Sequence, residues 1–116
     1  MTTEQKNIAI AEMLGGHYKR IEELSFEPKG RWHIQQFPDA KQNYDLKFHS
    51  DANWQFEACK FITKTYDAAW KITSKFCEIH NHNNGFDCRC EINCPENPLL
   101  DMFECLYQFS QYIKQK

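Results

Sequence analysis

The chain has 116 residues, 41% apolar and 15% aromatic, with a formal net charge of −2; such a chain buries a core without metal or disulfide support and is too apolar for a disordered segment. Its lysines and arginines are scattered, with no basic run longer than Lys19-Arg20, which argues against a nucleic-acid partner. No window approaches a membrane span and the N-terminal "MTTEQKNIAIAEMLGG" is too interrupted for a signal-peptide core, so the expectation is a single domain, 1–116, in a cytoplasm, with its six cysteines as thiols.

The first helix is expected from about Thr3 to Leu14, with Ile8, Ala11, Met13 and Leu14 near one face and Gly15-Gly16 closing it. Extended runs follow at His17 to Phe26 and Arg31 to Phe37, joined by the turn-forming "EPKG". In "NYDLKFHS", Tyr44, Leu46 and Phe48 alternate with polar residues, the pattern of a short half-buried strand or an extended lead-in. A second helix then starts, with Ser50 as N-cap and Trp54, Ala58, Phe61 and Ile62 as its stripe, reaching about Tyr66. The last helix opens at Asn97-Pro98, and Leu99, Met102, Phe103, Leu106, Ser110 and Ile113 form its buried face.

Between these helices lies "CEIHNHNNGFDCRC", whose Asn84-Gly85 signals a two-residue hairpin turn. That turn pairs Ile79 with Cys90 and Asn81 with Cys88. One face then carries Cys77, Ile79, Cys88, Cys90 and Ile92, and the other carries Glu78, His80, His82, Asp87, Arg89 and Glu91. Cysteines and histidines point apart, so a mixed zinc site, whose ligands must converge within roughly 2.0–2.3 Å of one ion, does not form. An all-cysteine site from Cys77, Cys88, Cys90 and Cys94 is the weaker alternative to cysteines acting as small core residues. No metal, cofactor or catalytic residue is assigned, since the sequence holds no phosphate loop, His-Glu-x-x-His or nucleophile elbow. Polar His80, His82, Asp87 and Glu91 suit a solvated sheet face as well as acid–base work.

The aromatic segments "GRWHIQQF" and "HSDANWQF" nominate Trp32, His33, His49 and Trp54 as a small-molecule or nucleotide pocket, against the simpler reading of both tryptophans as core residues. "IAEMLGG" (Ile10 to Gly16) and the junction Phe48 to Phe56 resemble small phage proteins of the ABA-sandwich type. Ala52 stands where that family often has an aromatic residue, and Gln55-Phe56 replaces Leu-Met. The resemblance implies a phage or prophage protein with helices layered on a sheet and no assigned reaction. The combined expectation is an α+β domain in the order helix, hairpin, helix, hairpin, helix, with a small, mainly antiparallel sheet. Its expected role is non-enzymatic: an accessory protein in a bacterial host's cytoplasm that binds a host or phage protein. A nucleotide-sequestering protein and a zinc-binding module are the alternatives.

Overall fold

The computed structural model describes residues 2–20, 30–73, 75–81, 85–91 and 99–115, without the side chains of Arg20 and of residues 89–91. The fold is α+β: helix α1 (Thr3–Met13), strands β1 (His17–Arg20) and β2 (Gly30–His33), helix α2 (Ala52–Tyr66), strands β3 (Ala69–Ile72), β4 (Phe76–Asn81) and β5 (Phe86–Glu91), and helix α3 (Leu99–Lys114). β1 and β2 form an antiparallel ribbon, and β3-β4-β5 form a three-stranded antiparallel sheet. The helix–hairpin alternation read from the sequence therefore holds, but on two sheets rather than one.

α1 begins with a reciprocal cap, Thr2 Oγ1 accepting from Gln5 N while Gln5 Oε1 accepts from Thr2 N. It ends where Gly15 turns to φ +85°, with Gly15 N bonded to Glu12 O and Gly16 N to Ala11 O, the Schellman pattern expected of this pair. Gly16 has a second reason to be glycine, since a Cβ there would sit 2.8 Å from both Ala11 O and Ile34 Cγ1. In the ribbon, Gly30 leaves room for the Tyr18 ring, which a Cβ would meet at 2.5 Å. β2 stops at His33, short of the expected Phe37, because turns close from Phe37 N to Ile34 O and from Ala40 N to Phe37 O. "EPK" and the rest of 21–29 lie outside the described residues.

Of the two readings of 44–49 the strand does not form and the lead-in does, after a 3-10 turn at Asn43–Asp45. Asp45 decides this: its Oδ2 accepts from Lys41 N and Gln42 N at 3.0 and 2.9 Å, folding the chain back on itself. Those two N–H groups hold its carboxyl below the usual value, a local stabilisation present above the unfolded pKa and lost as pH falls through the folded one. Leu46 and Phe48 are buried on the extended lead-in that follows, while Tyr44 is exposed. Helix α2 is capped by Asp51 rather than Ser50, its Oδ1 accepting from Asn53 N at 2.8 Å. It closes on Asp67 in the left-handed region at φ 57°, a conformation Asp tolerates better than most residues.

β3 was not anticipated. It follows α2 almost at once, and its turn into β4 uses no glycine, proline or asparagine: Thr73 Oγ1 accepts from Lys75 N and Phe76 N instead. The β4–β5 register also differs by two residues from the one the Asn-Gly turn implied, pairing Ile79 with Cys88 and Asn81 with Phe86 across a four-residue connection, 82–85. The longer connection brings Phe86 into the ladder, where it packs on Phe109 and Tyr112 at ring distances of 5.2 and 4.8 Å. A slip of two residues preserves the side-chain faces, so Cys77, Ile79 and Cys88 are buried as expected.

α3 is the central element, packed on β4 and β5 and touching α1 and α2. Met102, Phe103, Cys105, Leu106, Phe109 and Ser110 are its buried residues; the Asn97-Pro98 start lies outside the described residues. Gln55 ties three segments together, its Nε2 donating to Phe48 O and to Leu99 O, both at 2.7 Å. Replacing Gln55 by Ala leaves the buried Phe48 carbonyl unsatisfied and removes the tie to Leu99 O, with an expected cost of about 1–3 kcal/mol. Urea unfolding of the variant measures this, with the slope against denaturant unchanged.

Candidate functional site

The four residues nominated as a pocket do not line a common cleft. Trp32 is buried, its indole Nε1 donating to Asn43 Oδ1 at 2.7 Å, and it borders a cleft of about 490 Å³ together with exposed His33. Trp54 borders a separate cleft of about 310 Å³. Its ring lies parallel to Phe37 at 3.7 Å and edge-on to Phe48 at 4.9 Å, so its role there is packing. His49 stands elsewhere, with Nδ1 2.9 Å from Asn7 Nδ2 and its ring against Phe103. Asn7 Oδ1 meanwhile accepts from Phe48 N, so Asn7 holds the lead-in against α1.

The cysteine hairpin is a core element. Cys88 Sγ lies 3.4 Å from Cys105 Sγ and 3.2 Å from Gln108 Oε1, and Cys77 Sγ lies 3.8 Å from Cys105 Sγ. Cys59, Cys77, Cys88 and Cys105 are all buried thiols rather than disulfides. The Cys90 side chain and Cys94 lie outside the described residues. Burial, with Cys77 adding to it, pushes the Cys59 thiol up to about 12, far from the thiolate that binds soft metals or attacks electrophiles. Among the described residues no group of three or more His, Cys, Asp or Glu is arranged to hold a metal ion.

On the opposite face of the same strands, His80 sits between two carboxylates, Nε2 3.0 Å from Glu78 Oε2 and Nδ1 2.8 Å from Asp87 Oδ1. Both ring nitrogens thus face a carboxylate oxygen at hydrogen-bond distance. His82 lies outside the described residues, as does the Glu91 side chain, so the fuller cluster read from the sequence reduces to this Glu-His-Asp arrangement.

What the sequence did not suggest is an apolar sheet edge. β3 is an outer strand, and no backbone bond on its far side is made by Ala69, Trp70, Lys71 or Ile72 among the described residues. Beside it lies a cleft of about 320 Å³ bordered by Ala52, Phe56, Cys59, Trp70, Ile72 and Leu99. Phe56 and Ile72 are 50% and 47% exposed, and the Phe56 and Trp70 rings meet edge to face at 6.0 Å. Isolated apolar residues on a surface are ordinary, but several grouped at a cleft along an open strand mark a place where another chain can add. The readable signal was Trp70 and Ile72 alternating with Ala69, Lys71 and Thr73, overlooked because no turn residue frames them.

No family model, curated protein or solved structure matches the chain. Among the described residues no helix is long and apolar enough to cross a membrane.

The packing role of the thiols has a direct check. In the folded protein, Cys59, Cys77, Cys88 and Cys105 are expected to react with a maleimide only as fast as the chain opens, whereas denaturant exposes all four at once. Peptide-resolved mass spectrometry after timed labelling reads each site; rapid native labelling at Cys88 or Cys105 contradicts the assignment.

Proposed function

We propose that this protein acts without catalysing a reaction, by taking up an extended, apolar segment of a partner protein along the outer edge of β3. The observation that carries the reading is the coincidence of a strand edge unpaired among the described residues with the Phe56–Trp70–Ile72 cleft. Added strands gain main-chain hydrogen bonds from such an edge, and alternate side chains gain selectivity from a cleft beside it. Trp70 and Ile72 project to the cleft side, while Lys71 lies on the other face with its Nζ over the Phe76 ring. An incoming strand therefore meets an apolar row on one side and a cation on the other. The resemblance to phage ABA-sandwich proteins makes a phage or host protein the partner, and the host cytoplasm the setting.

The edge is short, only four residues, and carries a lysine. Both features discourage uncontrolled self-association. They also set the affinity expected of the site: a strand of this length gives weak pairing unless the cleft supplies anchoring contacts, so the side-chain row should dominate.

Selection from a random-peptide display library tests the reading. The expected result is a family of peptides with apolar residues at alternate positions, whose binding falls at least about tenfold in Ile72→Lys, a loss of about 1.4 kcal/mol, and is unchanged in Tyr44→Ser, an exposed aromatic outside the patch. Peptides that bind Ile72→Lys as well as the parent protein would show that the edge is not the docking surface.

A further inference from the structure

The β1–β2 ribbon presents a second surface, opposite in character to the β3 edge. On its outward face the register places His17 directly across from His33 and Lys19 directly across from Arg31, and all four residues are exposed. The two imidazole rings stack at 5.4 Å. Lys41 joins them at the rim of the 490 Å³ cleft, with its Nζ held 3.0 Å from Pro38 O. Directly opposed like charges weaken a ribbon, and natural strands ordinarily pair them with opposite charges. Here none is supplied: the described lining of the cleft includes His17, His33, Gln35 and Lys41 but no carboxylate. The cations stand together although the chain as a whole carries a net charge of −2.

Desolvation lowers the His33 pKa from its ordinary value, and so do the positive charges of His17 and Lys19 on β1, Arg31 on β2 and Lys41 beyond it. Every charge that the described residues bring to that ring is thus of one sign. Because the shift is downward, the neutral ring is favoured in the folded protein, and acidification through the ordinary histidine range places additional like charge on the ribbon. A bound polyanion reverses this by drawing a proton onto the ring. The cleft is open to solvent, and its volume of about 490 Å³ is within the range of small-ligand sites.

From this juxtaposition we infer that the His17–His33–Lys41 cleft, with Lys19 and Arg31 beside it, binds a small polyanion built of phosphate groups. Such a ligand comes either as a nucleoside triphosphate or as a free inorganic polyphosphate, and the shared chemistry is the string of phosphate oxygens accepting charge-assisted hydrogen bonds from Lys, Arg and imidazolium. Macromolecular nucleic acid is a different partner, with far more phosphates than the cleft admits.

The test is calorimetric titration of the full chain at low salt with inorganic triphosphate, ATP and a thymidine oligonucleotide, at about pH 5.5 and about pH 7.5, on either side of the ordinary histidine value. Saturable triphosphate binding is expected, tighter at the lower pH. It should weaken by about tenfold or more in Arg31→Gln/Lys41→Gln and stay unchanged in Lys64→Gln/Lys75→Gln, which removes two exposed cations elsewhere. His33→Gln should lose most of the gain on acidification, which separates the ring's titration from the ligand's own. Equal affinity for ATP and triphosphate marks a phosphate-only site, and tighter ATP binding marks a nucleotide site; both support the inference. It is overturned by absence of saturable binding at the lower pH, by equal loss in the two double variants, or by the oligonucleotide binding more tightly than triphosphate. All the substituted side chains are exposed, so melting temperatures near the parent's are expected and verify that the variants are folded.

Discussion

The contact on which the fold depends is the close seating of α3 on the inner face of β4 and β5. A helix approaches a sheet only as near as the side chains between them allow, and here the residues at the contact are small: Cys77 and Cys88 on the strands meet Cys105 on the helix at sulfur–sulfur distances of 3.8 and 3.4 Å. Larger residues at these positions would lift the helix and open gaps around Ile79 and Leu106, both fully buried. Thiols suit the place because they pack as compact, polarisable apolar groups and tolerate one another without a hydrogen-bond deficit. At the far end the seam widens, and rings take over: Phe109 touches Tyr66, Phe86 and Tyr112. α3 then sets its small Cys105 against the strand thiols and its Phe109 among the rings beyond them.

The elements outside that seam share its apolar core and are tied to it further by a few buried polar side chains. The irregular lead-in before α2 makes no sheet bonds, yet Phe48 is wholly buried and its backbone must be satisfied. Asn7 of α1 accepts from Phe48 N, and Gln55 of α2 donates to Phe48 O, so two helices close both hydrogen-bonding groups of one loop residue. Gln55 also reaches Leu99 O at the start of α3, which connects this junction to the central helix. Asn81 does similar work at the other end of the sheet, donating to Tyr66 O at the end of α2. Amides are suited to such bridges because one group carries donors and an acceptor in a fixed plane. Their geometry specifies where the helices stop as firmly as apolar packing does.

How much of this was legible depends on how local its cause is. The α1 stop at Gly15-Gly16 was readable because one residue's φ decides it, and the α2 and α3 stripes were readable because burial repeats at helical spacing. Hairpin faces were readable and hairpin register was not: the period of two protects the faces from a slip of two, while the register follows from Phe86 finding Phe109 and Tyr112, residues remote in sequence. For 44–49 alternation left a strand and an extended lead-in open, because it carries no record of the Asp45 carboxylate capturing two backbone N–H groups. Site residues fared worse for the same reason. Trp32 and His33 border one cleft, but the Phe37–Trp54 stack holds Trp54 at another and His49 lies against Asn7 and Phe103. Neither the β3 edge nor the ribbon cleft is a sequence motif, since each exists only through strand pairing.

The two surfaces differ in the physics that would drive an encounter, and this makes them separable in one preparation. Strand addition at β3 draws on main-chain hydrogen bonds and apolar burial around Phe56, Trp70 and Ile72, terms that salt at physiological concentration barely alters. Attraction to the ribbon draws on exposed cations, whose reach is set by a Debye length of about 8 Å at physiological ionic strength and about 30 Å at a tenth of a typical buffer's. Raising salt therefore weakens the ribbon while leaving the edge nearly untouched, and excluded salts such as sulfate strengthen apolar burial while competing for the cations. Acidification acts in the contrary sense on the ribbon, by charging His33 against its depressed pKa, and has no titratable group to act on among the apolar residues bordering the β3 cleft apart from the deeply buried Cys59. A protein that carries one contact indifferent to ionic conditions and another governed by them can hold a partner continuously and respond through the second surface alone.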